Sequence, residues 1–139
     1  MPALRELEAH FIRHEVQPAP PSHGKPLPNG TIRWGGFDTD VMVTVATLAE
    51  AQGLWYLCPL CFTKNGGPKG THFVTTWFAG RGAPDRLGKN KAGKTVRWTL
   101  GAKSTGLDDL ALTPSILLQG GCNWHGFIGS SGVPPGHAR

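Results

Sequence analysis

Charge is scarce in this chain: only 17% of its 139 residues are Asp, Glu, Lys or Arg, and acids number just nine. Tyr occurs once and Met twice. Long apolar runs are missing too. No stretch approaches the ~18 apolar residues that a membrane-crossing helix needs, and the N-terminal segment has no signal-peptide pattern. The expectation is a protein with no membrane association, working in a reducing cytoplasm. Cysteines number three, so a disulfide framework would leave one thiol over. In a reducing compartment, clustered Cys and His read as metal ligands more readily than as disulfides. The catalytic signatures G-x-S-x-G, H-E-x-x-H and G-x-x-x-x-G-K-[ST] are absent, and enzymatic activity is not expected.

What the chain does have is Gly and Pro, 20 and 12 residues respectively, and five Trp. That composition breaks long helices and favours short strands joined by turns. Residues 3–14, ALRELEAHFIRH, place Leu4, Leu7 and Phe11 at i, i+3 and i+7, which predicts a short amphipathic helix. Prolines at 18, 20, 21, 26 and 28 then rule out a continuous helix or a central strand. Residues 1–30 are read as a short helix plus a Pro-rich arm outside the main core. Residues 31–139 are read as the β-rich domain.

Within that domain TIRW at 31–34 is strand-like, and Val41, Val43 and Val45 alternate with Met42 and Thr44. ATLAEAQG at 46–53 predicts a helical turn closed by Gly53. LWYL at 54–57, THFVTTWF at 71–78 and TVRWTL at 95–100 predict strands. The span 80–94 is a loop by composition. LALTPSILL at 110–118 predicts a strand in which Pro114 marks an edge or a bend, and GFIGSSGV a final strand and turn. Phe62–Gly67 reads as a poor helix start. The fold expected is mainly β: a small antiparallel sheet or sandwich with little helix.

Two short motifs carry the chemistry. Cys58-Pro-Leu-Cys61 is a C-x2-C pair and Cys122-Asn-Trp-His125 a C-x2-H pair, with 60 residues, Phe62 to Gly121, between them. A two-residue spacing turns both side chains of a pair toward one point. Two pairs make a Cys3His set, which suits tetrahedral zinc in a zinc-ribbon-like arrangement, and thiolate and imidazole donors disfavour magnesium or calcium. A redox C-x-x-C, inert buried thiols and a Cys–His dyad remain as alternatives. His72 reads as a surface residue or one supporting the site from outside. The step Asp108-Asp109 reads as solvated, with one carboxylate capping a turn.

Charge is also unevenly spread. Residues 64–103 hold nine bases and Asp85, a net +8; the remainder holds five bases and eight acids, a net −3, and the two sum to the +5 of the whole. Arg81, Arg86, Lys89, Lys91, Lys94 and Arg97 form a candidate contact surface for nucleic acid or another polyanion. Trp77, Phe78 and Trp98 are either its stacking faces or part of the core. A solvated loop that keeps the protein soluble is the plain alternative.

The motifs LCPLCFTKNGGPKGTH, TGLDDL at 105–110 and SILLQGGCNWHGFI resemble a family of small zinc-binding proteins of phage and prophage genomes, a family without an assigned reaction. The resemblance covers about Leu48 to Gly129. It implies a zinc-binding β-domain of phage origin, with Cys58, Cys61, Cys122 and His125 as ligands. The function expected is that of an interaction module with a structural zinc, whose partner is a host or virion protein or nucleic acid. The alternatives are a virion assembly component using the arm and the basic loop, and a zinc-dependent hydrolase assisted by His72 or Asp108.

Overall fold

A computed structural model of the chain describes residues 1–18 and 38–139. The expected strand at 31–34 and most of the Pro-rich arm lie outside the described residues. Among the described residues eight strands and one short α-helix run in the order β1 (His10–Gln17), β2 (Thr39–Val45), β3 (Gly53–Leu57), α1 (Pro59–Asn65), β4 (Phe73–Trp77), β5 (Thr99–Leu100), β6 (Leu112–Thr113), β7 (Ile116–Leu117) and β8 (His125–Gly126). The protein is mainly β, as expected, and the strand pairs of known register are all antiparallel.

The chain divides into two compact units, Met1–Arg13 with Thr44–Arg139, and His14–Val43. In the second unit β2 runs beside β1, and the His14 ring nitrogen Nε2 lies 2.6 Å from Asp40 Oδ1. The Val-rich alternation predicted for β2 is present, with Val41, Val43 and Val45 half-buried and Met42 and Thr44 exposed.

In the first unit the strands β1, β3 and β4 are neighbours in that order. Strand β1 pairs His10 with Trp55 and Ile12 with Gly53. Strand β3 pairs with β4 from Gly53 opposite Trp77 to Leu57 opposite Phe73. One face of this sheet carries Phe11, Leu54, Tyr56 and Val74 into the main core, where Leu110, Leu112, Ile116, Trp124 and Ile128 meet them. Leu112 and Ile116 belong to two small ribbons, β5–β6 and β7–β8, and Leu110, Trp124 and Ile128 lie in the segments that flank them. As predicted, the chain bends at Pro114, between β6 and β7.

The opposite face has its own small cluster. Ile12 and Trp77 are buried but stand outside the main core. They pack over Gly53, where an added Cβ would lie 2.7 Å from the Thr76 carbonyl oxygen and 3.0 Å from the Trp77 ring. Only glycine admits that approach. Gly53 is therefore the first residue of β3 rather than the helix-closing glycine expected. The predicted helical turn survives as a single 3-10 turn, Leu48–Glu50.

Three further expectations change. Residues 3–14 do not form a helix. One hydrogen-bonded turn, with the Leu7 N–H donating to the Ala3 and Leu4 carbonyls, ends at Glu8 with φ 53°, and the chain then enters β1. Nor do the first 13 residues lie outside the core: Leu4 and Leu7 are fully buried and Phe11 nearly so. The apolar spacing marked burial correctly but admits a turn followed by a strand as readily as a helix. Finally, Pro59–Asn65 is helical. Pro59 occupies the first helical position, where its missing N–H costs nothing, and Gly66 closes the helix in the left-handed region at φ 70°.

Leu4→Ala should cost about 2–5 kcal/mol, the range for emptying a buried leucine site. Urea unfolding monitored by fluorescence measures this, and a loss below about 0.5 kcal/mol, the level of an ordinary surface substitution, would show that the first turn is not core.

Candidate metal centre

The site is built on the end of the β3–β4 hairpin. Leu57 faces Phe73 in the ladder, so the next antiparallel pair is Cys58 with His72. The backbone realises it: the Cys58 N–H donates to the His72 carbonyl at 2.9 Å. The segment between them is α1 and a glycine-rich return. Cys58 caps α1 and Cys61 lies in its first turn, three residues on and hence on the same side. The return is held by Asn65 Nδ2 donating to Thr71 Oγ1 at 3.1 Å and Thr71 Oγ1 donating to the Gly67 carbonyl at 2.8 Å.

The third sulfur arrives from the β7–β8 hairpin. Its tip is a turn in which the Asn123 N–H donates to the Gly120 carbonyl and the Gly120 N–H donates to Asn123 Oδ1. Asn123 itself sits at φ 53°, a conformation that Asn tolerates better than most residues. Cys122 projects from this tip toward the first pair.

Cys58, Cys61, His72 and Cys122 thus bring four donor atoms within 4.8 Å of one another, a group able to hold a metal ion. The Cys58 and Cys122 sulfurs are 3.7 Å apart, and His72 Nε2 is 3.4 Å from Cys122 Sγ. Tetrahedral bonds of ~2.3 Å to sulfur and ~2.0–2.1 Å to nitrogen would span edges of roughly 3.7 and 3.5 Å. A disulfide would instead need ~2.05 Å. The imidazole is poised for the same role. With the proton on Nδ1, that nitrogen donates to the Phe73 carbonyl at 3.3 Å and leaves the Nε2 lone pair facing the sulfurs. Metal-binding histidines are commonly oriented in this way.

The thiols differ. Burial pushes Cys58 up to about 12. Burial also opposes ionisation of Cys122, but its polar contacts with His72, the Trp124 amide and the two other cysteines outweigh it and bring that thiol down to about 7. The strand-to-helix setting of Cys58-x-x-Cys61 is the one a redox pair uses, and it was not expected from Phe62–Gly67. The chemistry is nevertheless the reverse of a redox thiol, which needs a depressed value at its leading cysteine.

His125, expected as the fourth ligand, is not in the group. It belongs to β8 and is exposed beside the buried Trp124, as strand alternation requires. Its Nε2 lies 2.9 Å from Ser115 Oγ. His72 takes its place, and the clue to it was the hairpin register rather than any local motif. Trp124, two residues from Cys122, is buried in the core edge-on to Tyr56 with ring centroids 6.2 Å apart.

The other candidates divide. Asp109 caps a turn, accepting from the Thr105 and Gly106 N–H groups at 2.8 Å. Asp108 makes a forked pair with Arg5, and that guanidinium lowers its carboxyl. Arg81 donates to the Leu48 and Ala51 carbonyls, and Arg97 to those of Leu87, Val96, Ala83 and Pro84. These two arginines pin loops. Arg86, Lys89, Lys91 and Lys94 are exposed. Trp77, Phe78 and Trp98 are buried and are not stacking faces.

Comparison with family models, curated proteins and solved structures finds no match. The site's chemistry therefore stands on its own geometry.

His72→Ala should lower metal affinity about 100-fold or more, whereas His125→Ala should leave it within about threefold; loss of a supporting residue outside the ligand set costs about 10–100-fold. Competition against a chromophoric chelator gives both numbers. Equal losses in the two variants would overturn the assignment of His72.

Proposed function

We propose that the chain is an interaction module folded around one zinc ion, held by Cys58, Cys61, His72 and Cys122. The observation that carries this reading is the convergence of three sulfurs and a correctly presented imidazole nitrogen within 4.8 Å. A Cys3His donor set favours zinc over hard cations. All four positions of a tetrahedral ion are taken by protein, which is the pattern of a structural site; catalytic zinc keeps one position for water.

The same geometry argues against the hydrolase alternative. His72 is used as a ligand and Asp108 is engaged with Arg5, so neither is left to act as a base beside the ion. When bound, the ion supplies a cross-link. Cys58 and Cys122 are 64 positions apart, and a link across a loop of that length removes about 4 kcal/mol of chain entropy from the unfolded state. The whole binding free energy of structural zinc in small modules is larger, on the order of 10 kcal/mol. For a Gly- and Pro-rich domain of this size that is comparable with its entire stability. The likeness of 48–129 to phage-encoded proteins is the ground for placing the module in a phage–host setting.

Elemental analysis should find one zinc per chain, and chelation should abolish the cooperative melting transition. A Cys122→Ser variant should behave like the chelated protein. An intact, unshifted transition after zinc removal would sink the structural reading.

A further inference from the structure

The sheet face turned away from the core carries an open aromatic ladder. On β3, Trp55 alternates with the buried Leu54 and Tyr56 and so emerges on the outer face. Its ring stacks on Phe73 of β4, with centroids 3.8 Å apart and planes 17° from parallel. His10 of β1, directly across from Trp55, adds a third ring at 6.3 Å. Phe73 is 38% exposed, one of the few large apolar side chains left so open. The neighbouring half of this face, over Trp77, is approached by Gly88, where an added Cβ would lie 2.9 Å from the Trp77 ring and 3.0 Å from the Arg97 guanidinium.

A cationic turn adjoins the ladder. Thr75 is the cross-strand partner of Trp55. It also lines a cleft of about 250 Å³ together with Lys89, Asn90, Lys91 and Gln119. The turn that holds these lysines is not a slack loop. Asn90 Oδ1 accepts from the Ala92 and Lys94 amides at 3.0 Å, Lys89 bridges to Thr95, and the Lys91 N–H donates to Gln119 Oε1 at 3.0 Å. Lysine charge is therefore presented from a fixed backbone, in the segment of the sequence where net charge is +8. Solubility alone does not call for a fixed turn beside stacked rings.

We infer that this face binds single-stranded nucleic acid, with unpaired bases stacking on the Trp55–Phe73 ladder and phosphates resting on Lys89 and Lys91. Stacking platforms beside cationic grooves hold single strands with little sequence preference, because every base has a π-face. A duplex hides those faces. The inference deepens the interaction-module reading and rests on it in one respect: His72 precedes Phe73, so the metal centre fixes the start of β4 and with it one ring of the ladder.

The test is fluorescence anisotropy of the zinc-loaded protein with labelled oligo-dT and oligo-U of about 15 nucleotides, within the site sizes of such folds, at about 50 and 200 mM salt. Both strands should bind at low salt and weaken at high salt, and a duplex of equal length should bind at least about tenfold less well. Trp55→Ala and Phe73→Ala should each weaken binding about tenfold, and Trp55→Phe should retain most of it. The double variant Lys89→Gln/Lys91→Gln should lower the salt slope by about 1.4, two phosphates at ~0.7 each. Zinc content and melting are measured on every variant. Zinc-loaded, folded protein that ignores both strands at low salt overturns the inference and leaves the metal reading standing. So does equal competition by heparin or poly-glutamate, which would make the face a plain polyanion or acidic-protein surface. Oligonucleotide binding that drops with Trp55→Ala in a protein that holds no zinc would uphold the surface and remove the metal reading.

Discussion

The register of β3 against β4 is the constraint on which the rest depends. Once Leu57 faces Phe73, Cys58 has no freedom to avoid His72. The connection between them then needs a segment that leaves Cys58, turns Cys61 back beside it and returns to His72. A two-turn helix opened by Pro59 and closed by Gly66 does this. Only the third sulfur must come from afar, and the β7–β8 hairpin delivers it on a tip shaped by Gly120, Gly121 and Asn123. Two hairpins, each locally determined, are thereby joined at one point.

That junction also contains the most buried of the candidate ligands. Cys58 is fully buried and its thiol is pushed up to about 12 by that burial. Ionising it alone in this environment is costly. A divalent ion reverses the balance, because thiolates that lose water gain bonds to the metal.

The three cysteines were legible from spacing, and the mainly β fold from Gly, Pro and strand-length apolar runs. The fourth ligand was not, because the C-x2-H spacing of Cys122 and His125 is a statement about neighbours in sequence. Cys58 and His72 are neighbours across a ladder, and finding that pair requires the register. The N-terminal segment shows a related limit. Leu4, Leu7 and Phe11 are all buried, as their spacing implied, but the spacing does not say that Glu8 breaks the helical path. Charge counts mislead in a third way. Composition cannot distinguish an arginine spent on carbonyl oxygens from a lysine left in water.

That last distinction organises the basic segment. Arg81 and Arg97 together donate to six backbone carbonyls. A planar guanidinium with five donors can satisfy several acceptors at once, which an ammonium on a flexible stem does poorly. The arginines therefore hold the loop in place, with Gly88 against Trp77, while Lys89, Lys91 and Lys94 stay exposed on the turn that Asn90 closes. Covering one half of the outer sheet face and presenting charge beside the other half are consequences of a single division of labour between two kinds of cation. The uncovered half begins at Phe73, one residue from the candidate metal ligand His72. Thus the junction that closes the fold and the loop that charges its surface meet on the same strand, β4.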